Sequence, residues 1–395
     1  MVHTLLNNHV FELKSDSRAR SRAVAVGALR AGTNVLVESP LAVTIHPSHK
    51  TRRCDECLRE ADGLQKCSGC GVYYYCGKDC QTVSWKRHHR RLCRFSKEYV
   101  QSEVYKEAPE DARADVFLLA HLAAEHFYKL ETLDDAQTSA NDSLRDSETT
   151  ILCRSFNHSC KPNAAAMFEH VPGGIRMVVK LLEDVANGEE ISISYTDPAA
   201  PYSERRDALA HVYGFSCQCS RCTLDASTAS ASPTNQDRDE LRHRIGAAVQ
   251  AQIRNEQSTL EVLRDELRGL TPILDHELLR YLPDWTSEFS SSSHDGPYDK
   301  ALEWGNAVLG VYVLVYPSIH PLLELHCLEL CKVAWNHYVT SVAPGRPDTM
   351  HVKGAASAYL GWAKSLSEGL HKGLEVSRSS IVSEYDVLES CLREE

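Results

Sequence analysis

Seven cysteines and a histidine packed into residues 54–93 constrain this chain more than any other feature. They stand as Cys54-x2-Cys57, Cys67-x2-Cys70, Cys76-x3-Cys80 and His89-x3-Cys93. Zinc takes four tetrahedral nitrogen or sulfur ligands, and each C-x2-C turn supplies two. The spacing of four in Cys76/Cys80 and His89/Cys93 puts each pair on one helical face. Eight ligands therefore make two zinc sites. So short a segment buries little apolar surface, and metal binding supplies most of its folding free energy. His88 and His89 are adjacent. Either can serve as the ligand; the helical turn between His89 and Cys93 favours His89, which leaves His88 as a surface residue.

Such an array needs reduced thiols. Residues 1–20 are broken by Asn7, Asn8, His9 and several charges, which predicts no secretory signal. The longest apolar run, Ala307 to Tyr316, has ten residues, too few to span a bilayer. The expectation is an intracellular, reducing location with no membrane partner. The 15 cysteines are then metal ligands or buried thiols, not disulfides. A chain of 395 residues is long enough for two or three domains. Its formal charge of −11 argues against nucleic acid as a main partner. Residues 50–97 depart from that balance, with twelve Lys/Arg against five Asp/Glu. That stretch is either a solvated face or a contact for an acidic partner.

A second motif is Asn157-His158-Ser159-Cys160-Lys161-Pro162-Asn163, whose cysteine has no neighbour to pair with. Downstream, Tyr213-Gly214-Phe215-Ser216-Cys217-Gln218-Cys219-Ser220-Arg221-Cys222 offers three thiolates and lacks a fourth. Cys160 with Cys217, Cys219 and Cys222 is expected to make a third four-thiolate zinc site, which would fasten the clip over the Asn157/His158 turn; the alternative is a clip that binds metal alone with water, or none.

Between these motifs the pattern is mixed. Short strands are expected at Val24–Val26, Val35–Val37 and Leu41–Ile45, punctuated by Gly27, Gly32 and Pro40. Residues 98–130 carry apolar side chains at helical spacing, with His121 and His126 as surface or core-edge residues. Residues 131–149 read as a polar loop. A hairpin follows over Ala164–Phe168 and Ile175–Leu182, then a strand over Gly188–Tyr195 that delivers Tyr195 at its end. From Arg238 onward the chain is helical, an antiparallel array or short solenoid. Cys327, Cys331, Cys153 and Cys391 read as buried or incidental thiols.

The ligand order in 54–93, with Tyr74-Tyr75-Cys76 before Cys80-Gln81 and Trp85 before the histidines, resembles the MYND zinc finger. That resemblance implies interleaved sites: Cys54, Cys57, Cys76 and Cys80 in one, and Cys67, Cys70, His89 and Cys93 in the other. The order Asn-His-Ser-Cys-x-Pro-Asn, Gly-Glu-Glu-x4-Tyr and Cys-x-Cys-x2-Cys resembles the SET domain of lysine methyltransferases. A finger inserted in a SET domain and followed by helices resembles the SMYD family. The fold implied is α+β, a small β-rich SET domain with a zinc-binding post-SET segment and an all-α, TPR-like C-terminal domain. The implied divisions are 1–53 and 151–200 for the SET domain and 54–93 for the finger. A helical insertion at 94–150, a post-SET segment at 201–224, a linker at 225–237 and a helical domain at 238–395 complete it.

The resemblance also implies S-adenosylmethionine as cofactor, three structural zinc ions and a protein lysine as substrate. Arg22, Asn157, His158, Tyr195 and Phe215 match cofactor-binding positions. Tyr195 matches the catalytic tyrosine and Tyr213 a wall of the lysine channel. Partner proteins would meet the finger and the helical domain, nucleic acid ranks second, and a monomer in nucleus and cytoplasm is implied. Two stretches differ from the family pattern. Arg20-Ser21-Arg22-Ala23 stands where the family has Gly-x-Gly, and Cys153-Arg154-Ser155-Phe156 abuts Asn157 with no intervening segment. These motivate an alternative, a SET–MYND adaptor with weak or no activity.

Overall fold

A computed structural model describes residues 10–15, 21–38, 42–135, 156–171, 174–228, 235–255, 258–269, 271–340, 347–371 and 381–393. The described residues divide into two compact units. One holds those within 36–154 and 167–178, the other those within 6–35, 155–166 and 179–395.

The first unit is built on the finger. A two-residue hairpin, β4 (Gln65–Lys66) with β5 (Tyr74–Tyr75), pairs Gln65 with Tyr75. Helix α1 (Lys78–Ser84) leads into a wider, π-type turn over Trp85–His89, and then α2 (Arg90–Gln101). Helices α3 (Glu103–Glu107) and α4 (Glu110–Asp135) follow. Helix α4 continues into the polar stretch where a loop is expected from 131, because a formed helix propagates past its last strong former. Lys50 ties this unit together. Its ammonium bonds Asp55 at 2.7 Å and lies over the rings of Tyr73 and Phe117, at 4.5 and 5.1 Å.

The second unit carries the SET strands and the helical region. Strands β1 (Phe11–Lys14) and β2 (Arg22–Ala25) are antiparallel, with Phe11 opposite Ala25. The far edge of β2 meets residues 189–191: Ala25 N–H donates to Glu189 O and Ile191 N–H to Ala23 O. Strand β6 (Asn157–His158) pairs in parallel with β9 (Ser192–Ile193). A three-stranded sheet, whose residues are assigned partly to each unit, has the order β3 (Asn34–Glu38), β8 (Gly174–Leu181), β7 (Ala164–Val171).

Two expected strands are corrected. Residues 42–46 are irregular, and Leu41 lies outside the described residues. Pro47, with no N–H to offer a ladder, follows directly. The expected strand at 188–195 is divided between two partners: residues 188–191 bond the edge of β2 around a single Val24–Glu190 bridge, and Ser192–Ile193 pair with the two-residue β6, with an asparagine side chain taking over part of the pairing.

Helices follow Pro198: α5 (Tyr202–Ala208), α6 (Ser220–Thr228), α7 (Asn235–Ile253), α8 (Leu260–Arg268), α9 (Thr271–Asp295), α10 (Tyr298–Val315), α11 (Pro321–Thr340), α12 (Pro347–His371) and α13 (Ile381–Arg393). Helix α10 is the axis of this array and touches α7, α8, α9 and α11. Its buried residues run all round, as expected for a central helix. Two glycines permit the approach. A β-carbon at Gly305 would lie 2.6 Å from Leu330, and one at Gly310 would lie 2.2 Å from Ile245. Buried Arg264 closes the end of α10, donating to Val313 O, Tyr316 O and Ser318 Oγ at 2.8, 3.0 and 2.9 Å. Cys327 and Cys331 are buried in this core. Among the described residues no helix is long and apolar enough to cross a membrane.

Candidate active site and metal centres

The eight finger ligands converge in two groups. Cys54, Cys57, Cys76 and Cys80 bring their sulfurs within 4.8 Å of one another, and so do the ligand atoms of Cys67, Cys70, His89 and Cys93. The local cause is two matching knuckles. Leu58 N–H donates to Cys54 O and Gly71 N–H to Cys67 O, and these two donor residues are themselves left-handed, at φ 61° and 68°. Glycine suits that conformation; Leu58 holds it under strain. Four thiolates on one zinc, with bonds of about 2.3 Å, stand about 3.8 Å apart. The sulfurs of Cys57 and Cys76 are 3.7 Å apart and those of Cys67 and Cys93 are 4.0 Å apart, so both groups fit the ion.

The electrostatics point the same way. Burial, aided by nearby Cys70 and Cys67, pushes the Cys93 thiol up to about 12. Burial also raises Cys57, but hydrogen bonds from Arg59 outweigh it and leave that thiol at about 7. Thiols this close resist ionising together unless a dication lies among them. Burial, with His88 beside it, lowers His89 to about 4, which keeps the imidazole neutral as a metal ligand requires.

His89 is the member of the adjacent pair that joins the cluster, with its Nε2 3.4 Å from Cys70 Sγ. The expectation that His88 lies at the surface is corrected: it is buried, 3.1 Å from Ser84 Oγ. The π-type turn widens the helix and lets both residues face inward. The edge placement of His121 is corrected too. It is buried against His88, its Nε2 2.8 Å from Tyr73 Oη. Burial first, then His88 and Lys50, push it down to about 2, so it stays neutral. The side chain of His126 lies outside the described residues.

Cys160, Cys217, Cys219 and Cys222 form a third group with sulfurs within 4.8 Å, Cys160 and Cys222 being 3.4 Å apart. Its surroundings are cationic. The Arg221 guanidinium donates to Cys160 O at 3.1 Å and Pro198 O at 2.7 Å. Buried Arg205 pairs with Asp225 at 2.5 Å and is held charged against burial by the neighbouring Cys160 sulfur. A guanidinium beside four thiolates would offset the excess negative charge left there with a zinc ion bound.

The turn before Cys160 is held by its own polar side chains. Asn157 Nδ2 donates to Glu190 Oε1 at 2.8 Å and to Ser21 O at 3.1 Å, beside Arg22 at the start of β2. Asn163 acts as a strand partner: its Oδ1 accepts from Ser192 N–H and its Nδ2 donates to Glu190 O, each at 2.9 Å. His158 Nδ1 accepts from Tyr195 N–H at 2.9 Å, so Nε2 carries the proton and donates to Cys160 Sγ at 3.1 Å. The Tyr195 hydroxyl donates to Phe156 O at 2.7 Å. Burial, then Tyr213, raise that phenol above its ordinary value.

Around Tyr195 stand His158 at 5.3 Å, Tyr213 at 4.9 Å and Phe215 at 6.4 Å between ring centroids. Phe215 is 37 % and Tyr213 49 % exposed. This partly exposed aromatic set suits a flat heterocycle and a cationic chain. Arg20 and the stretch Cys153–Ser155 lie outside the described residues. Sequence reasoning gives no role to Asn163, Glu190 or Arg205. The first two stand inside motifs that were already singled out; nothing marks Arg205.

A model of the SET domain matches residues 24–196. Mouse histone-lysine N-methyltransferase SMYD3 is 22% identical over 78% of this chain and 84% of its own. Zebrafish N-lysine methyltransferase SMYD2-B is 22% identical over 67% of this chain and 75% of its own. The SET domain and MYND-type zinc finger protein 6 of Schizosaccharomyces pombe is 28% identical over 47% of this chain and 46% of its own. The SET match runs across the finger and the relatives extend beyond it toward the helices, so the chain carries a SET domain and is similar to SMYD methyltransferases over most of its length.

Proposed function

We propose that this protein transfers a methyl group from S-adenosylmethionine to the side-chain amine of a lysine in another protein. The observation that carries the reading is Tyr195, its hydroxyl fastened to Phe156 O and its ring set among His158, Tyr213 and Phe215. Bound S-adenosylmethionine supplies a methyl group on a positively charged sulfur. Arg22, the backbone of Asn157 and His158, and the face of Phe215 would hold it. The Asn157 amide and both His158 nitrogens bond protein groups, which favours backbone over side-chain contact there.

Because the Tyr195 hydroxyl donates to Phe156 O, its oxygen accepts from the lysine amine. The raised phenol keeps its proton, so Tyr195 orients the amine and does not deprotonate it. The faces of Tyr213 and Tyr195 attract the lysine cation as it enters; the ammonium gives its proton to solvent before attack, and the neutral nitrogen then bonds the methyl carbon as the sulfur leaves with the bonding pair. Alignment in a channel with little water carries the catalysis. Structural zinc at the three clusters would use four protein ligands each, with no open position.

The division of labour follows the divisions given above. The SET parts and the 201–224 clip form the site, and the finger and the helices from 238 meet partner proteins. Nucleic acid is a secondary partner of the basic stretch. The chain acts as a monomer in nucleus and cytoplasm.

Calorimetry of the zinc-loaded chain with S-adenosylmethionine tests the reading. No detectable binding sinks the enzyme and leaves an adaptor. If binding occurs, Tyr195→Phe lowers methyl transfer by about 10²-fold while cofactor affinity stays nearly unchanged. An unaltered rate removes Tyr195 from the mechanism.

A further inference from the structure

We propose that Tyr75, Ser84 and His88 form a buried hydrogen-bond relay that holds His89 with Nε2 toward its metal, which makes Tyr75 a positioning residue of the Cys67/Cys70/His89/Cys93 centre. His89 Nδ1 lies 2.5 Å from Tyr75 Oη, Oη lies 3.0 Å from Ser84 Oγ, and Oγ lies 3.1 Å from His88 Nε2. None of the four residues is more than 5% exposed, so water cannot replace a missing link.

The direction of the relay follows from the ligand. His89 Nε2 faces Cys70 Sγ, so a metal taken there leaves the proton on Nδ1. Nδ1–H then donates to the Tyr75 oxygen, the Tyr75 hydroxyl donates to Ser84, and Ser84 donates to His88 Nε2. Each hydroxyl gives one proton and receives one, and the relay ends on a nitrogen that must be unprotonated. With the proton instead on Nε2 of His89, that nitrogen meets the thiolates as a donor and binds no metal. The relay thus selects the metal-binding tautomer, as outer-shell partners of histidine ligands do.

The fold supplies each part. Tyr75 sits in the β4–β5 hairpin, Ser84 ends α1, and the π-type turn points His88 and His89 inward together. Tyr73 packs on the His89 ring from another side, at 4.2 Å between centroids. The Cys54/Cys57/Cys76/Cys80 centre has no imidazole and no such relay, and so serves as an internal control.

The inference rests on zinc occupying the finger and not on the methyl-transfer reading. The test uses the full chain, titrated with a chromophoric chelator to read zinc affinity. Cobalt(II) substitution assigns each loss, since three-sulfur, one-nitrogen and four-sulfur centres absorb differently. Tyr75→Phe is expected to weaken zinc at the His89 centre about 10–100-fold. The two four-cysteine centres keep wild-type affinity. Ser84→Ala, which leaves the Tyr75–His89 link in place, gives a smaller loss at the same centre. Wild-type affinity in Tyr75→Phe overturns the relay, and so does an equal loss at all three centres, which reports general unfolding. If Tyr75→Phe fails to fold, Ser84→Ala decides by the same criteria. A wild-type chain that binds no metal at this centre overturns the zinc reading along with the relay, and failure of methyl transfer alone touches neither.

Discussion

Asn163→Ala should loosen the segment that presents Tyr195, without touching a reacting atom. Asn163 is 9% exposed and makes two hydrogen bonds of 2.9 Å, from Ser192 N–H and to Glu190 O. Alanine leaves a backbone donor and a backbone acceptor without partners. Each costs about 1–3 kcal/mol when buried. Partial access of water to a half-buried segment trims the sum to about 2–4 kcal/mol, or roughly a 30- to 1000-fold rise in local opening. Hydrogen exchange read by mass spectrometry on peptides covering 188–196 measures that opening directly. The finger peptides serve as the unchanged reference. Asn163→Asp gives a pH signature. The carboxylate still accepts from Ser192, but its other oxygen faces the Glu190 carbonyl. The folded state therefore raises the pKa of this acid above its unfolded value of about 4. A raised acid destabilises above its folded pKa, and the penalty fades as pH falls toward the unfolded one. The extra exchange of Asn163→Asp should shrink from pH 8 toward pH 5, while that of Asn163→Ala, relative to wild type, stays level. Wild-type protection of 188–196 in Asn163→Ala would refute the reasoning.

Three further outcomes follow from the packing and the clusters. Gly310→Ala should destabilise the helical region by about 1–3 kcal/mol through the clash with Ile245. Gly361→Ala, in open space on α12, should stabilise it by about 0.5–1 kcal/mol; the opposite signs appear as urea midpoints moved in opposite directions. His320 and His326 are held down to about 4, chiefly by burial. Lowered histidines stay neutral in the fold but charge in the unfolded chain, so stability drains as pH falls below about 6.5, on the order of 1–2 kcal/mol each by pH 5; His326→Gln should flatten that slope in melts compared across pH. Metal analysis of the wild-type chain should give three zinc ions, and Cys222→Ser should give two, with loss confined to the cluster that holds Cys160.

What the sequence makes legible depends on whether the cause is local. Ligand spacing in the finger is local chemistry, and a C-x2-C turn reads the same in any fold. Helical periodicity from 238 onward is local too, and most of the described residues there are helical. The strands around the site are harder, because their lengths are set by what lies opposite. Residues 188–195 alternate like a strand, yet the segment changes partner within it: 188–191 bond β2, and only Ser192–Ile193 pair with β6, which is two residues long. Burial of His121 is equally non-local: its helix presents it to Tyr73 and His88, 48 and 33 positions earlier, and no pattern within α4 marks it. Asn163 looks like a turn residue after Pro162, and its work as a strand partner exists only once 190–192 arrives beside it.

The same distinction changes what a polar motif signifies. A run such as Asn157-His158-Ser159-Cys160 invites reading as a set of side chains aimed at a ligand. Here the side chains largely bond protein: Asn157 to Ser21 and Glu190, His158 to Tyr195 and Cys160, Ser159 to the Lys161 backbone. Parallel strands of two residues have too few ladder bonds to fix a turn, so the asparagines and the histidine supply the missing constraint. His158 does the most, since it joins the Tyr195 amide on one side to a cluster sulfur on the other. An imidazole in that position needs one nitrogen bare and one protonated, a demand that glutamine meets in part and alanine does not meet at all. His158→Gln should therefore retain more of the order of 188–196 than His158→Ala, and exchange that ranks the two variants the other way would show that the bridge does not position Tyr195.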